Sequence, residues 1–242
     1  MNAVARERPL RRPSAGTGDR PKASVKPRRG RPPRLSRDRI IDAVFSLLAQ
    51  DSAESLTIGR IARAVDASPA ALYRHFESLD DLLDAVLARA LSNVDATLDC
   101  EGEWADRLDA WMRGLRAELL RVPAAIALIG RSGRTSPAWL EASSFLVGLL
   151  AEAGLSGRRL AMLYLWILET TTGFVLQEAI LPVSEQLENA RASAGELSEP
   201  ARGRFATIRP ELDRIDGDEF FSFVVEQAIS AVVLHAKHST RR

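Results

Sequence analysis

Residues that build disulfides, metal sites and nucleophilic centres are scarce in this sequence. Its 242 residues include one cysteine, Cys100, and three histidines, His75, His235 and His238. A single cysteine excludes an intrachain disulfide. No histidine pair fits a metal site, and Cys100 has no histidine near it in the chain to act as a base. No glycine-rich loop follows a strand pattern either. We therefore expect no enzyme, no metal and no cofactor.

Two further patterns are missing. Residues 1–39 contain no apolar run of the kind that a secretory signal has. Together with the single cysteine, this favours a cytoplasmic protein. Alternation of apolar and polar residues with the period of a strand never persists, and β-branched residues lie in runs of helical period. The predicted fold class is therefore all-α.

The net charge of +1 conceals a strong asymmetry. Residues 1–40 hold 13 of the 33 Lys and Arg residues but only 3 of the 32 Asp and Glu residues, which gives +10 there and −9 over the rest. The N-terminal segment is also rich in Pro, Gly and Ser and lacks apolar periodicity. We therefore expect residues 1–34 to form a disordered basic arm.

A helix-turn-helix pattern lies within residues 56–83. Two short amphipathic runs, 57–65 and 69–75, are separated by a tight polar turn. Ser68 followed by Pro69 is a helix start, since the hydroxyl accepts an early backbone N–H and proline has none to leave unsatisfied. Ser78 with an acidic residue three positions later is a capping box that opens a third helix. The small residues at the start of the second helix suit entry into a major groove.

Residues 72–76, Leu-Tyr-Arg-His-Phe, and the preceding Leu56-Thr57 resemble the DNA-binding domain of the TetR (tetracycline repressor) family, over roughly residues 36–98. The resemblance implies a three-helix helix-turn-helix DNA-binding domain over 35–80 and a connecting helix over 81–98. A helical-bundle domain for ligand binding and dimerisation would follow over 99–242. The implied function is a repressor that binds a near-palindromic DNA operator as a homodimer and is released by a small-molecule effector.

The family's DNA contacts carry over to matching positions of this chain. In the resemblance, phosphates are held by Thr57, Tyr73 and His75, and Arg60 and Arg74 reach either a phosphate or a base. Bases are faced by Ser68, Pro69, Ala70 and Ala71, with the alanines on thymine methyl groups. The expected DNA-binding residues are Thr57, Arg60, Ser68, Pro69, Ala70, Ala71, Tyr73, Arg74 and His75. Two positions depart from the family. Asp66 replaces the glycine usual in the turn, which aspartate tolerates, and Leu79 replaces a phosphate-binding lysine.

Residues 27–34, Pro-Arg-Arg-Gly-Arg-Pro-Pro-Arg, resemble an AT-hook. A slender Arg-Gly-Arg segment can lie in a narrow minor groove through Arg28, Arg29 and Arg31, where the negative potential is strongest. The alternative is a basic linker that touches phosphates only. At the level of function, the alternative to a ligand-controlled regulator is an architectural AT-hook and helix-turn-helix protein with no response to a small molecule.

Two predicted helices of the C-terminal half, 159–181 and 220–236, are apolar over most of their circumference. Such helices need cover on more than one side, and a second subunit is the simplest cover. A membrane span is the competing interpretation, but Glu169 and Glu226 interrupt runs that are already short for a bilayer. We therefore expect a homodimer and no membrane partner. The polar, proline-bearing segment 182–217 shows two modest helical patterns, 185–191 and 201–208, and is predicted to be a mobile loop beside the effector pocket.

Residues 143–178, with Gly154-Leu155 and Gly173-Phe174-Val175-Leu176, are similar to the C-terminal domain of the tetracycline repressor, whose drug is held as a magnesium chelate by a histidine. This chain has no histidine between residues 76 and 234, so that metal site is not expected. An apolar or aromatic effector is expected instead. Trp104, Trp111, Phe145 and Trp166 either line its cavity or belong to the core. The polar residues Glu169, Thr172 and Gln177 either orient the effector or bridge the dimer.

Overall fold

The structure, a computed structural model, describes residues 35–50, 53–92, 94, 102–129 and 135–239. The described residues belong to one compact unit within 35–242. Within the described ranges the regular structure is helical and no strand occurs. The helices are α1 (Arg37–Leu48), α2 (Ile58–Ala64), α3 (Pro69–Leu72), α4 (Leu79–Leu91), α5 (Trp104–Arg121), α6 (Pro123–Ile126), α7 (Pro137–Glu152), α8 (Gly157–Ile180), α9 (Val183–Ser193), α10 (Glu199–Ala206), α11 (Arg209–Leu212) and α12 (Gly217–Ser239). The all-α prediction is confirmed.

Side-chain caps fix the start of several helices. The hydroxyls of Ser36, Ser68, Ser78 and Ser136 each accept a hydrogen bond from the backbone N–H three residues later, at 3.0–3.2 Å. Each bond satisfies one of the N–H groups that a helix start leaves without an intrahelical partner. The predicted starts of α3 and α4 are confirmed.

The ends of α2 and α7 share one motif. After α2, the N–H of Ala67 donates to the carbonyl of Ala62 at 2.9 Å, and Asp66 stands at φ 55°. After α7, Gly154 stands at φ 89° and the N–H of Leu155 donates to the carbonyl of Leu150 at 3.0 Å. Both are Schellman ends, which need a left-handed residue. Asp66 is the only non-glycine residue with positive φ among the described residues, and its side chain makes that conformation tolerable.

Two apolar cores meet on α4. The first lies among α1–α4 and includes Ile40, Leu72 and Phe76; the second lies among α4–α8 and α12 and is centred on Trp111. Leu82 and Val86 of α4 belong to the first core, and residues 87–91 supply members of the second. Because one helix serves both cores, it joins the helix-turn-helix unit to the C-terminal bundle.

An ion-pair cluster ties α5 to the two longest helices of the bundle. Arg116 donates to both carboxylate oxygens of Glu178 on α8, at 2.8 and 2.5 Å, and to Asp218 on α12 at 2.7 Å. Its guanidinium also lies 4.8 Å from the ring centroid of Phe221. The hydrogen bonds to Glu178 are the largest cause that raises the pKa of Arg116, against the opposing effect of burial. Arg116 therefore stays charged at any working pH.

The C-terminal half corrects two predictions. Residues 182–217 do not form a loop but carry α9, α10 and α11, of which α9 and α10 overlap the two predicted helical patterns. Pro182, Pro200 and Pro210, which suggested an irregular segment, stand at the starts of these helices, where proline is well tolerated. The connecting helix α4 ends at Leu91, short of the predicted end at residue 98; residues 95–98 lie outside the described ranges.

Candidate nucleic-acid interface

The helix-turn-helix consists of α2, the turn at Asp66 and α3. Leu72 and Phe76 are almost completely buried and anchor α3 against the first core. Helical hydrogen bonding continues past Leu72, since the N–H of Phe76 donates to the Leu72 carbonyl at 3.0 Å. The helical surface therefore extends from Pro69 to about His75, as predicted.

The structure corrects the orientation of one predicted base-facing residue. Ser68, Pro69 and Ala70 are exposed at the start of α3, whereas Ala71 is only 8% exposed. Successive helical residues are about 100° apart, and a packed helix face is at least that wide. The buried face that holds Leu72 therefore also takes in Ala71. Ala71 was wrongly placed on the outward face, and the base-facing roles of the other three stay predictions.

The other predicted DNA contacts differ in the exposure of their side chains and in the hydrogen bonds that these side chains already make. Tyr73 is 53% exposed and Arg74 is exposed, while His75 is partly buried. Thr57 is already the cap of α2, because its hydroxyl accepts from the N–H of Arg60 at 3.2 Å. Arg60 donates to the hydroxyl of Ser55 at 2.7 Å. Tyr73 and Arg74 are thus the side chains most available to DNA.

Arg37 supports this surface and was not identified from the sequence. Its guanidinium donates to the backbone carbonyl of His75 and lies 4.1 Å from the ring centroid of Phe76. A cation beside the C-terminal end of a helix is favourable because the helix dipole is negative there. Arg37 thus holds the end of α3 against the start of α1. The 38-residue separation between donor and acceptor leaves no local sequence signal for this contact.

The remaining DNA-binding predictions concern the N-terminal arm and Leu79. Arg28, Arg29 and Arg31 lie outside the described residues, so the AT-hook interpretation stays a prediction. Leu79, which stands where the family resemblance places a lysine, packs against the first core. This position therefore serves packing rather than phosphate binding.

Asp84 connects the helix-turn-helix unit with the bundle. Its carboxylate accepts from the hydroxyl of Ser136 and from the N–H of Ala138 at 3.3 Å, at the start of α7. A carboxylate at a helix N-terminus is stabilised by the N–H groups and by the helix dipole. A cavity of about 260 Å³ lies beside it, lined in part by Leu87 and Leu128.

The predicted effector residues do not meet in one place. Trp111 is fully buried and donates from its indole N–H to the carbonyl of Ala142 at 3.3 Å, so it is a core side chain. Trp104 and Phe145 are partly buried against the same core. The other four lie on α8, where Trp166, Glu169 and Gln177 are exposed and Thr172 donates to the carbonyl of Leu168 at 2.7 Å. The effector site stays a prediction.

Comparison with known proteins covers both parts of the chain. Residues 40–86 match the family described as bacterial regulatory proteins, tetR family, and residues 98–232 match the tetracyclin repressor-like C-terminal domain. The chain belongs to the TetR family. It is therefore a DNA-binding transcriptional regulator rather than an enzyme, and the family assignment made from residues 56–76 is confirmed.

Two curated HTH-type transcriptional regulators are moderately similar to this chain. An HTH-type transcriptional regulator of Saccharopolyspora erythraea is 33% identical over 122 residues, which is 50% of this chain and 52% of that protein. The matched stretch thus spans about half the length of this relative. An uncharacterised HTH-type transcriptional regulator of Mycobacterium tuberculosis is 28% identical over 69% of this chain and 80% of its own length.

Solved TetR-family structures share the fold. Apo ActR from Streptomyces coelicolor superposes with a TM-score of 0.70 at 20% identity, over 85% of this chain and 98% of ActR. ActR has also been solved in complex with actinorhodin, and that structure gives a TM-score of 0.68 over 84% of this chain and 98% of ActR. At this identity the likeness concerns the fold alone.

Proposed function

We propose that this TetR-family protein is a cytoplasmic repressor, a homodimer that binds a near-palindromic operator through α3 and dissociates when a small apolar or aromatic effector binds the C-terminal domain. The observation that carries the proposal is the pair of apolar faces on α8 and α12. Both helices are long and apolar enough to cross a membrane by length and composition alone, yet most residues of each apolar stretch are not buried.

The exposed faces are large and apolar. The exposed large hydrophobic residues of these two helices are Met162, Leu165, Trp166, Leu176, Ile180, Phe220, Phe223 and Leu234. Burying one such side chain contributes about 1.5–3 kcal/mol, so together they favour association strongly. Inside the chain α8 packs on α5, α7 and α12, which leaves the opposite face for a second copy. A two-fold dimer uses the same patch on both subunits.

Dimerisation sets the form of the operator. A two-fold axis presents two α3 helices, and helix-turn-helix dimers bind half-sites about 34–36 Å apart. Ser68, Pro69 and Ala70 would face the bases, and Tyr73, Arg74 and His75 the phosphates. The arm with Arg28, Arg29 and Arg31 would add minor-groove or phosphate contacts outside the major groove. The expected operator is therefore a near-palindrome.

The dimer interface is tested by two matched substitutions. Leu165 on α8 and Leu140 on α7 are each 51% exposed, but only Leu165 lies on the proposed interface. We expect Leu165→Glu to give a monomer in light scattering after gel filtration and to lower operator affinity at least tenfold, whereas Leu140→Glu stays dimeric. Selection of binding sites from random DNA should return a near-palindrome. A monomeric native protein, or a single asymmetric half-site, would contradict the proposal.

Effector control is tested by operator binding in the presence of a small molecule. Actinorhodin is a suitable first probe because ActR, with the same fold, has been solved bound to it. A fall in operator affinity on addition of an aromatic probe supports a ligand-controlled repressor. An affinity that no member of an aromatic and apolar panel changes would support the architectural alternative instead.

A further inference from the structure

The segment between α8 and α12 surrounds an apolar cavity that the proposed function does not use. The cavity has a volume of about 200 Å³ and lies among α9, α10, α11 and the short 3-10 helix Ala194–Glu196. Its apolar lining consists of Leu187, Ala190, Ala194, Leu197, Phe205 and Leu212. These side chains come from every element of the segment, so the segment folds around the cavity.

The walls of the cavity are held by polar contacts rather than by a core. Arg191 on α9 pairs with Asp213 at 2.6 Å, and Arg202 on α10 donates to the carbonyls of Gly195 and Leu197 at 3.2 and 3.0 Å. No residue of α9, α10 or α11 is buried. An unfilled apolar lining lacks the dispersion contacts that a packed interior has. A bound apolar group would supply them.

The charges at the cavity favour an anion. The positive charge of Arg191 is neutralised by Asp213. Arg209 also lines the cavity, and within the described part of the chain it makes no ion pair. A guanidinium binds a carboxylate through two parallel hydrogen bonds. The cavity therefore offers an apolar interior and one arginine without a counter-ion at its edge.

The volume limits the size of the ligand. A cavity of about 150 Å³ holds benzene, whereas pockets for drug-sized ligands measure about 300–1,000 Å³. A cavity of about 200 Å³ therefore has room for one ring with a short chain.

We propose that this cavity binds a single-ring aryl carboxylate, with its ring among Leu187, Leu197 and Phe205 and its carboxylate on Arg209. The site is separate from the interface on α8 and α12 and from the predicted effector residues. It therefore stands whether or not the protein is a ligand-released repressor.

The test uses 3-phenylpropionate and its neutral counterpart 3-phenyl-1-propanol, titrated calorimetrically into the full-length protein. We expect the acid to bind at one site per chain and up to about fivefold more tightly than the alcohol, which is the upper end of the scale for an exposed ion pair. Arg209→Gln should remove that preference for the acid. Ala194→Phe, which fills the cavity at a residue with ordinary helical backbone angles, should weaken binding of both compounds at least tenfold.

Arg204→Gln is the matched control, because Arg204 is an exposed arginine of the same segment that does not line the cavity. It should bind like the native protein. Equal binding of acid and alcohol by the native protein overturns the proposal without any variant. Unchanged binding by Ala194→Phe with native helical content overturns it as well. Operator affinity, measured in parallel without probe, reports on the repressor function independently.

Discussion

The two tyrosines of the chain allow DNA binding and folding stability to be tested with the same chemical change. Tyr73, directly after α3, is 53% exposed, and its hydroxyl has no hydrogen-bond partner among the described residues. Tyr164 is partly buried on α8, and its hydroxyl lies 2.9 Å from that of the buried Ser143. Replacing either tyrosine by phenylalanine removes one oxygen and nothing else.

The two substitutions should change different properties, operator affinity for Tyr73 and folding stability for Tyr164. A hydrogen bond to a charged group is worth about 1.5–3 kcal/mol, so Tyr73→Phe should weaken operator binding about tenfold or more for each half-site. It should leave stability unchanged. Tyr164→Phe should lower the free energy of unfolding by about 1 kcal/mol, and Tm by about 2–4 °C. The cost stays modest because the Ser143 hydroxyl still donates to the carbonyl of Leu140 at 3.2 Å.

Fluorescence anisotropy with labelled operator at several salt concentrations, together with urea unfolding, measures both effects. A phenol hydroxyl releases no counter-ions, so Tyr73→Phe should keep the slope of log K against log salt, whereas Arg74→Gln should reduce it by about 0.9 for each phosphate that Arg74 neutralises. The loss of affinity in Tyr73→Phe should also be the same for all operator sequences. A weakening confined to one base pair, or a stability decrease in Tyr73→Phe equal to that in Tyr164→Phe, would refute the phosphate assignment.

Three further predictions concern the arm, the turn and the ion-pair cluster. Deleting residues 1–34 should weaken operator binding and reduce its salt dependence by about 0.9 for each phosphate that the arm neutralises; an unchanged slope in a gel-shift titration would make the arm a passive linker. Asp66→Val should lower the free energy of unfolding by about 1–2 kcal/mol because φ is 55° there, with Asp66→Gly close to the native protein in urea unfolding as the control. Arg116→Met should cost about 3–5 kcal/mol by leaving Glu178, 13% exposed, without its partner. Arg113→Met, which breaks an exposed pair with Asp109, should cost less than about 1 kcal/mol, and equal costs for the two variants would contradict a special role for the cluster.

Local backbone chemistry explains why the helix-turn-helix was predictable. The caps at Ser36, Ser68 and Ser78 bond to N–H groups three residues away, and the turn depends on one left-handed residue, Asp66. Each signal lies within a few residues of the feature that it determines. Short-range patterns of this kind are visible in a sequence without knowledge of the fold.

Contacts between distant segments explain what was missed. Arg37 meets His75, and Asp84 meets Ser136, only after the helices pack. The burial of the predicted effector residues also depends on contacts between distant segments. Trp111 and Trp166 look alike in the sequence, yet one is fully buried in the bundle and the other is exposed on α8. Helical periodicity identifies an apolar face but not whether a core, a cavity or a second subunit covers it.

The contacts of α4 indicate where movement between the helix-turn-helix unit and the bundle would occur. Toward α1, the helix is held by the first apolar core and by Arg89, which pairs with Asp38 at 2.5 Å. Separating these would expose many apolar side chains at about 1.5–3 kcal/mol each. Toward α7, the helix is held by the second apolar core, to which Leu87, Ala90 and Leu91 belong, and by the cap of α7 through Asp84. The adjacent cavity of about 260 Å³ leaves space on that side. Because α4 belongs to both cores, an effector that shifts α4 within the bundle would move α1–α3 with it.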